Sequence, residues 1–225
     1  MIDPREDPLE AARGVLDQAR SLGIEIWPEG PRLRYRTLNR DLPVGLRDAL
    51  AKMREEVLEI VRHERSIEYH LAPMSWNQFG MWHDHVGLVA PTGLNVGHAV
   101  RLERPIRLEV LTRAAQVLVD RHSVLRTDFP RESDLSLTDG RPSRRVWGFR
   151  PVVVHQGSGA APEVLNGVLG ELIGEPFHLE TAPLFRVHHV PISGGGQVVL
   201  LVAHHLVVDG LSIRLMGPEL ARVFQ

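Results

Sequence analysis

Two histidines, followed after three apolar residues by an acid and a glycine, could do chemistry: His204-His205-Leu206-Val207-Val208-Asp209-Gly210. An imidazole has a reference pKa of about 6.5, so it can take or give a proton near neutral pH. A carboxylate close by can hold a ring or an arginine in place. A glycine lets backbone or substrate approach closely. The plainer reading of two adjacent histidines is a satisfied polar pair at the end of a strand.

The flanking residues say what must position this group. Gln197 to Ala203 is rich in Val and Leu and follows Ser193-Gly194-Gly195-Gly196, so it reads as a buried strand after a flexible turn. Leu211, Leu215, Leu220 and Val223 recur at helical spacing, which puts Gly210 near the mouth of a helix. The full pattern HHxxxDG between strand and helix resembles the signature of the condensation domains of nonribosomal peptide synthetases, members of the chloramphenicol acetyltransferase-like superfamily. The resemblance implies that His205 faces the reacting amine or hydroxyl as base or amine-positioning residue. It implies that His204 packs inward and that Asp209, beside Gly210, makes a structural ion pair. Arg121 and Arg126 are the candidate partners, with Arg126 preferred.

Other segments carry the same resemblance. Ser75 with Gln78 three residues on fits a capping box and opens a helix; it also resembles the first core motif of the family. Arg121-His122-Ser123-Val124-Leu125-Arg126-Thr127-Asp128-Phe129 resembles the second, with Ser123 where the family has Glu. Pro176-Phe177-His178-Leu179 resembles a third segment, with His178 in place of Asp. Strands are expected at 95–102, at 184–191 and, in two pieces broken by Gly148, over 141–155. Helices are expected at 108–120 and 162–173. The implied fold is a chloramphenicol acetyltransferase-like α/β sandwich lobe over 70–225. Family members have two such lobes and join a carrier-bound donor thioester to a carrier-bound acceptor amine. The phosphopantetheine arms of carrier domains serve as substrate carriers, and no cofactor is bound directly. The sequence is expected to hold only the first lobe of a longer subunit.

The first 65 residues read as a separate module. Asp7 can cap a helix with Pro8 at its first position, and Leu9, Ala12, Leu16, Ala19 and Leu22 form an apolar stripe up to Gly23. Ile24 to Trp27 and Arg32 to Arg36 alternate as the arms of a hairpin, and two helices follow near 43–51 and 53–64. Leu33 and Tyr35 share one strand face; Arg32, Arg34 and Arg36 share the other. This helix–hairpin–helix–helix order resembles the tubulysin-type N-terminal docking domains, with Leu42 where that family often has a capping Thr. The resemblance implies capture of an acidic C-terminal tail of an upstream subunit by β-augmentation. Arg32, Arg34, Arg36 and Trp27 are the expected tail-binding residues, and a homodimer through this module is a further expectation. Arg65 to Leu71 reads as a linker.

Composition narrows the classes. The chain has 225 residues, a formal net charge of −2 and no cysteine. That length has room for two units, and the lack of cysteine removes disulfides and thiolate chemistry; the α+β class is what the element pattern and the two resemblances imply. Near-neutral charge argues against a nucleic-acid binder. The lack of a signal pattern or a long apolar run leads to the expectation of a soluble cytoplasmic protein with no membrane partner. His83-x-His85, His188-His189 and His204-His205 invite a metal reading. Adjacent strand histidines point to opposite faces, so no metal is expected. The alternative functions are an acyl-CoA-dependent acyltransferase of the same superfamily and a non-catalytic interaction fragment.

Overall fold

The structure is a computed structural model that describes residues 7–37, 42–87, 91–131 and 142–223. It divides into two compact units, Met1–Glu68 and Tyr69–Gln225. The residues before Asp7, which read in the sequence as a frayed tail, lie outside the described residues.

In the first unit, α1 (Pro8–Ser21) is capped by Asp7, whose carboxylate accepts from Leu9 N–H at 3.0 Å. β1 (Glu25–Glu29) and β2 (Arg32–Arg36) pair antiparallel, with Glu29 opposite Arg32. Gly30 has φ of 55°, a left-handed value that glycine adopts without a Cβ penalty. α2 (Val44–Lys52) has no side-chain cap at Pro43. Leu42 is buried instead, packing with Leu46, Leu50 and the apolar face of α1. α3 (Arg54–Ile67) buries Val57, Ile60 and Val61 in the same core. The end of α3 is held to α1 by the Arg20–Glu64 ion pair.

The linker expected over Arg65–Leu71 is replaced by regular structure. α3 continues to Ile67, and β3 (Tyr69–Pro73) pairs with β6 (Ser143–Trp147). A polar stretch reads as a connection when its hydrogen-bond partners are more than seventy residues away. With β5 (Thr127–Asp128) these strands form a sheet in the order β3-β6-β5.

The larger sheet carries the histidines. β4 (Asn95–Leu102), β7 (Val154–Gln156), β8 (Phe185–Pro191) and β9 (Gln197–His204) lie in the order β4-β9-β8-β7. β7 runs parallel to β8, and the other pairs are antiparallel. The two pieces expected over 141–155 therefore belong to different sheets, divided after Gly148. β8 and β9 are joined across Gly194, Gly195 and Gly196, all at positive φ. Every residue of β9 is buried. A strand covered on both faces reads as a continuous apolar run, as this one does.

Helices supply the cover: α4 (Trp76–Gly87), α5 (Leu108–Arg121), α6 (Leu165–Gly174) and α7 (Gly210–Val223). α7 meets β4 where a Cβ on Gly217 would lie 3.3 Å from His98 and Val100. α6 meets β4 at Gly97, where a Cβ would lie 2.5 Å from Ile173 Cδ1. Positions 97 and 98 point to opposite faces, so α6 and α7 sandwich the sheet. We expect Gly97→Ala to lower stability by about 1–3 kcal/mol through overpacking. Combined with Ile173→Ala, it should cost less than the sum of the two single changes. Urea unfolding of the three variants measures both; strict additivity would count against the close contact.

Candidate active site

The turn after β9 is tied down at each peptide group. Val207 and Val208 N–H both donate to His204 C=O, at 3.0 and 3.3 Å. His205 N–H donates to Leu94 C=O at 2.8 Å. Gln78, on the first turn of α4, closes the expected capping box: its Oε1 accepts from Ser75 N–H, and Ser75 Oγ accepts from Gln78 N–H, each at 3.1 Å. The same carboxamide donates through Nε2 to Leu206 C=O at 2.9 Å. One side chain thus caps a helix and holds the peptide that follows His205. The second role could not be read from the cap motif, because the two residues lie 128 positions apart.

The two histidines have different surroundings. His204 is fully buried, with Phe177 edge-on at 6.4 Å. Its Nδ1 accepts from Leu206 N–H at 3.2 Å, and its Nε2 lies 3.0 Å from His85 Nδ1. Burial, and then the neighbouring rings of His85 and His205, push its pKa down to about 4. His205 is half-buried, and its Nδ1 is buried with no hydrogen-bond partner. His204 is therefore a neutral strut, and His205 is the imidazole of the pair that the fold does not fully enclose.

Asp209 corrects an expectation. It is exposed, and its carboxylate accepts from Ser212 N–H at 2.6 Å, capping α7. Bonds from the Ser212 hydroxyl and N–H hold its pKa below the usual carboxylate value. It forms no ion pair with Arg121 or Arg126. Arg126 donates to Trp147 C=O at 3.0 Å and to Val119 and Asp120 C=O at 2.6 and 2.7 Å. These last two are carbonyls at the C-terminal end of α5, which attracts cations. Arg121 reaches Glu219 of α7 at 3.2 Å, alongside His122 at 2.8 Å. Each charge answers the helix end nearest to it, and those ends are different. Gly210 opens α7 with nothing within 4 Å of an added Cβ, so no packing inside the chain requires a glycine there. The buried carboxylate of the region is Asp128, bonded to Arg145 Nε at 2.7 Å and Trp147 Nε1 at 2.8 Å.

A cavity of about 640 Å³ opens beside His85, walled by Trp82, Phe129, Phe177 and Leu179 with Arg131 and Glu180. The sequence suggests His85 only as a metal ligand with His83; its link to His204, 119 residues away, leaves no local signal. His188 is a further buried titratable group, which the sequence marks only as one of an adjacent pair. It is buried, stacked on His155 at 5.1 Å, and burial with the charge of His155 pushes its pKa down to about 4.

The first unit also corrects the expected arginine row. Arg36 pairs with Glu25 at 2.6 Å, and Arg34 pairs with Glu29 at 2.5 Å, both within the hairpin. Trp27 stands opposite Arg34 and is half-buried. A groove of about 280 Å³ has Ile26, Leu33 and Leu50 in its lining, with Arg32 and Arg34 of the row and Arg47 and Arg54 of the helices. Strand register explains the pairing: Glu25 faces Arg36 directly, and Glu29 lies diagonally from Arg34.

Comparison with known proteins places this geometry. Residues 68–225 match the family described as Condensation domain. The chain belongs to that family. The condensation unit is 31% identical over 139 residues to surfactin synthase subunit 1 of Bacillus subtilis, which is 60% of this chain and 4% of that protein. It is 30% identical over 152 residues to tyrocidine synthase 3 of Brevibacillus parabrevis, 68% of this chain and 2% of that one. Among solved structures, the first condensation domain of the calcium-dependent antibiotic (CDA) synthetase aligns with a TM-score of 0.58 at 21% identity. That alignment covers 70% of this chain and 39% of the other. The starter condensation domain of rhizomide synthetase aligns with the same TM-score at 19% identity, over 69% and 37%. The fold of the condensation unit is therefore the mixed α/β fold of these domains. No helix among the described residues is long and apolar enough to cross a membrane.

His204 and His188 make stability depend on pH. Their folded pKa values lie below the unfolded value of about 6.5, so their contribution is full above that pH, falls as pH drops towards 4, and then levels. At pH 5 the loss should be about 2 kcal/mol for each. Urea titrations at pH 7 and pH 5 test this, and His188→Leu should remove part of the difference.

Proposed function

We propose that the chain is the front end of a nonribosomal peptide synthetase subunit. In this reading the condensation unit contributes His205 to peptide-bond formation between a carrier-bound thioester and a carrier-bound amine. The observation that carries it is the clamped turn: a buried strand delivers a half-buried imidazole, next to a fully enclosed one, at a fixed place. A neutral His205 can accept the proton of an ammonium or hold the amine's N–H as it attacks the thioester carbonyl. Asp209 and Gly210 serve by starting α7, and Arg126 by fixing the end of α5. The carriers' phosphopantetheine arms would present both substrates. In the full synthetase, His205→Ala should lower condensation about a hundredfold or more, with carrier loading unchanged. Full activity in that variant would remove His205 from the mechanism.

The first unit is proposed to capture the tail of an upstream subunit. The groove between β2 and α2 supports this reading, with its apolar lining and its arginines. Among the described residues, Arg32 and Arg47 make no ion pair, whereas Arg34 and Arg36 are already occupied. An extended acidic tail would lie along β2 and set an apolar side chain among Ile26, Leu33 and Leu50. Exposed ion pairs are worth about 0.2–1 kcal/mol each, so binding should be in the micromolar range and weaken with salt. Calorimetry with an acidic C-terminal peptide tests it. Arg32→Glu with Arg47→Glu should abolish binding, and Arg36→Glu should weaken it less. Binding that ignores both salt and charge reversal would reduce the arginines to a solvated face.

A further inference from the structure

We propose that His85 is a positioning residue for the turn that carries His205, acting through the buried ring of His204. The inference rests on the reading of His205 given above and assigns what holds that residue in place.

Hydrogen-bond directions fix the proton positions. His204 Nδ1 accepts from Leu206 N–H, so it carries no proton. In a neutral ring the proton is then on Nε2, which donates to His85 Nδ1 at 3.0 Å. His85 Nδ1 is therefore also unprotonated, and its own proton sits on Nε2. The chain runs one way, from the Leu206 amide through His204 to His85. Gln78 and His85 are seven residues apart on α4, two turns along one face. Gln78 takes Leu206 by its carbonyl; His85 takes it by its N–H, through His204. α4 thus grips both polar groups of the residue that follows His205, while Leu94 holds the N–H of His205 itself. The rings of His85 and His204 meet at 70°, with centroids 4.9 Å apart, a geometry set by the bond and not by stacking.

This arrangement tolerates only a neutral His85. A proton on its Nδ1 would face the N–H of His204, and two donors cannot share the bond. Burial holds the pKa of His85 below the ordinary histidine value, and the carboxylate of Glu180 acts the other way. The other charged or titratable groups facing the cavity are Arg131 and His178, with His83 and Asp84 on α4 itself and His205 beyond His204.

The test separates this role from simple packing. In the 225-residue chain, nitrogen-15 spectra at pH 7 should show His204 protonated at Nε2 and bare at Nδ1. His85→Leu keeps apolar bulk and removes the acceptor. It should speed hydrogen exchange at the Leu206 amide about ten- to a hundredfold, the scale of a buried hydrogen bond left unmade. His85→Asn places Oδ1 where Nδ1 stood. It should keep most of the protection, and keep it as pH falls through the range in which the native chain loses it. In the full synthetase, His85→Leu should lower the condensation rate by a similar factor with loading unchanged, and His85→Asn should restore it. A His204 protonated at Nδ1, or native Leu206 protection in His85→Leu, overturns the proposal. The spectra and exchange rates need no reaction. Should they come out as stated while His205→Ala stays fully active, the condensation reading alone falls.

Discussion

A strand covered on both faces must end on a group that water cannot serve, and here that group is the ring of His204. An unmade hydrogen bond at such a place costs about 1–3 kcal/mol. Both ring nitrogens of His204 are met, one by the next turn of its own chain and one by α4. Meeting the second requires α4 to run alongside the end of β9, and the Ser75–Gln78 cap fixes where α4 begins. The placement of His205 follows, since it is the next residue on a turn that has no slack. The placement of the His205 imidazole is thus decided by the solvation of its neighbour.

Much of this was legible in the sequence where the signal is local. The apolar run of β9, the helical spacing after Gly210, the Asp7 and Ser75 caps and the alternation of β1 and β2 each show in a few consecutive residues. What failed to show was partnership over distance. Gln78 reads as a cap whether or not Leu206 lies near it. Asp209 and Arg126 sit in motifs that suggest a pair, yet each is satisfied by its own helix end. The linker before Leu71 hid a strand because β6, its partner, comes late in the chain. The hairpin pairs are partly legible: register across the two-residue turn sets Glu25 against Arg36, but it sets Glu29 against Arg32, and the diagonal pair with Arg34 shows only in the structure.

Burial sorts the charges of the molecule into two kinds. Asp128 is enclosed, so it needs Arg145 and Trp147 together, and Arg150 lies over the Trp147 ring at 3.5 Å to complete the layer. Losing one partner of such a set leaves a charge that water cannot reach. Asp209 and the Arg36–Glu25 pair of the hairpin stand in solvent, where each contact can break and re-form at small cost. The first kind specifies a fold, and the second leaves a surface free to exchange partners. The groove beside β2 belongs with the second kind.

The seat of α6 on β4 restricts how this chain can drift in evolution. Gly97 and Ile173 fill one space between them, so their substitutions are not independent. A lineage can enlarge position 97 only after position 173 has shortened, because the reverse order passes through an overfilled intermediate. Shortening first leaves a small void, which a packed sheet bears more easily than a collision with the Ile173 side chain. The path is therefore directional, and the glycine is kept by its neighbour's size and not by any turn it makes.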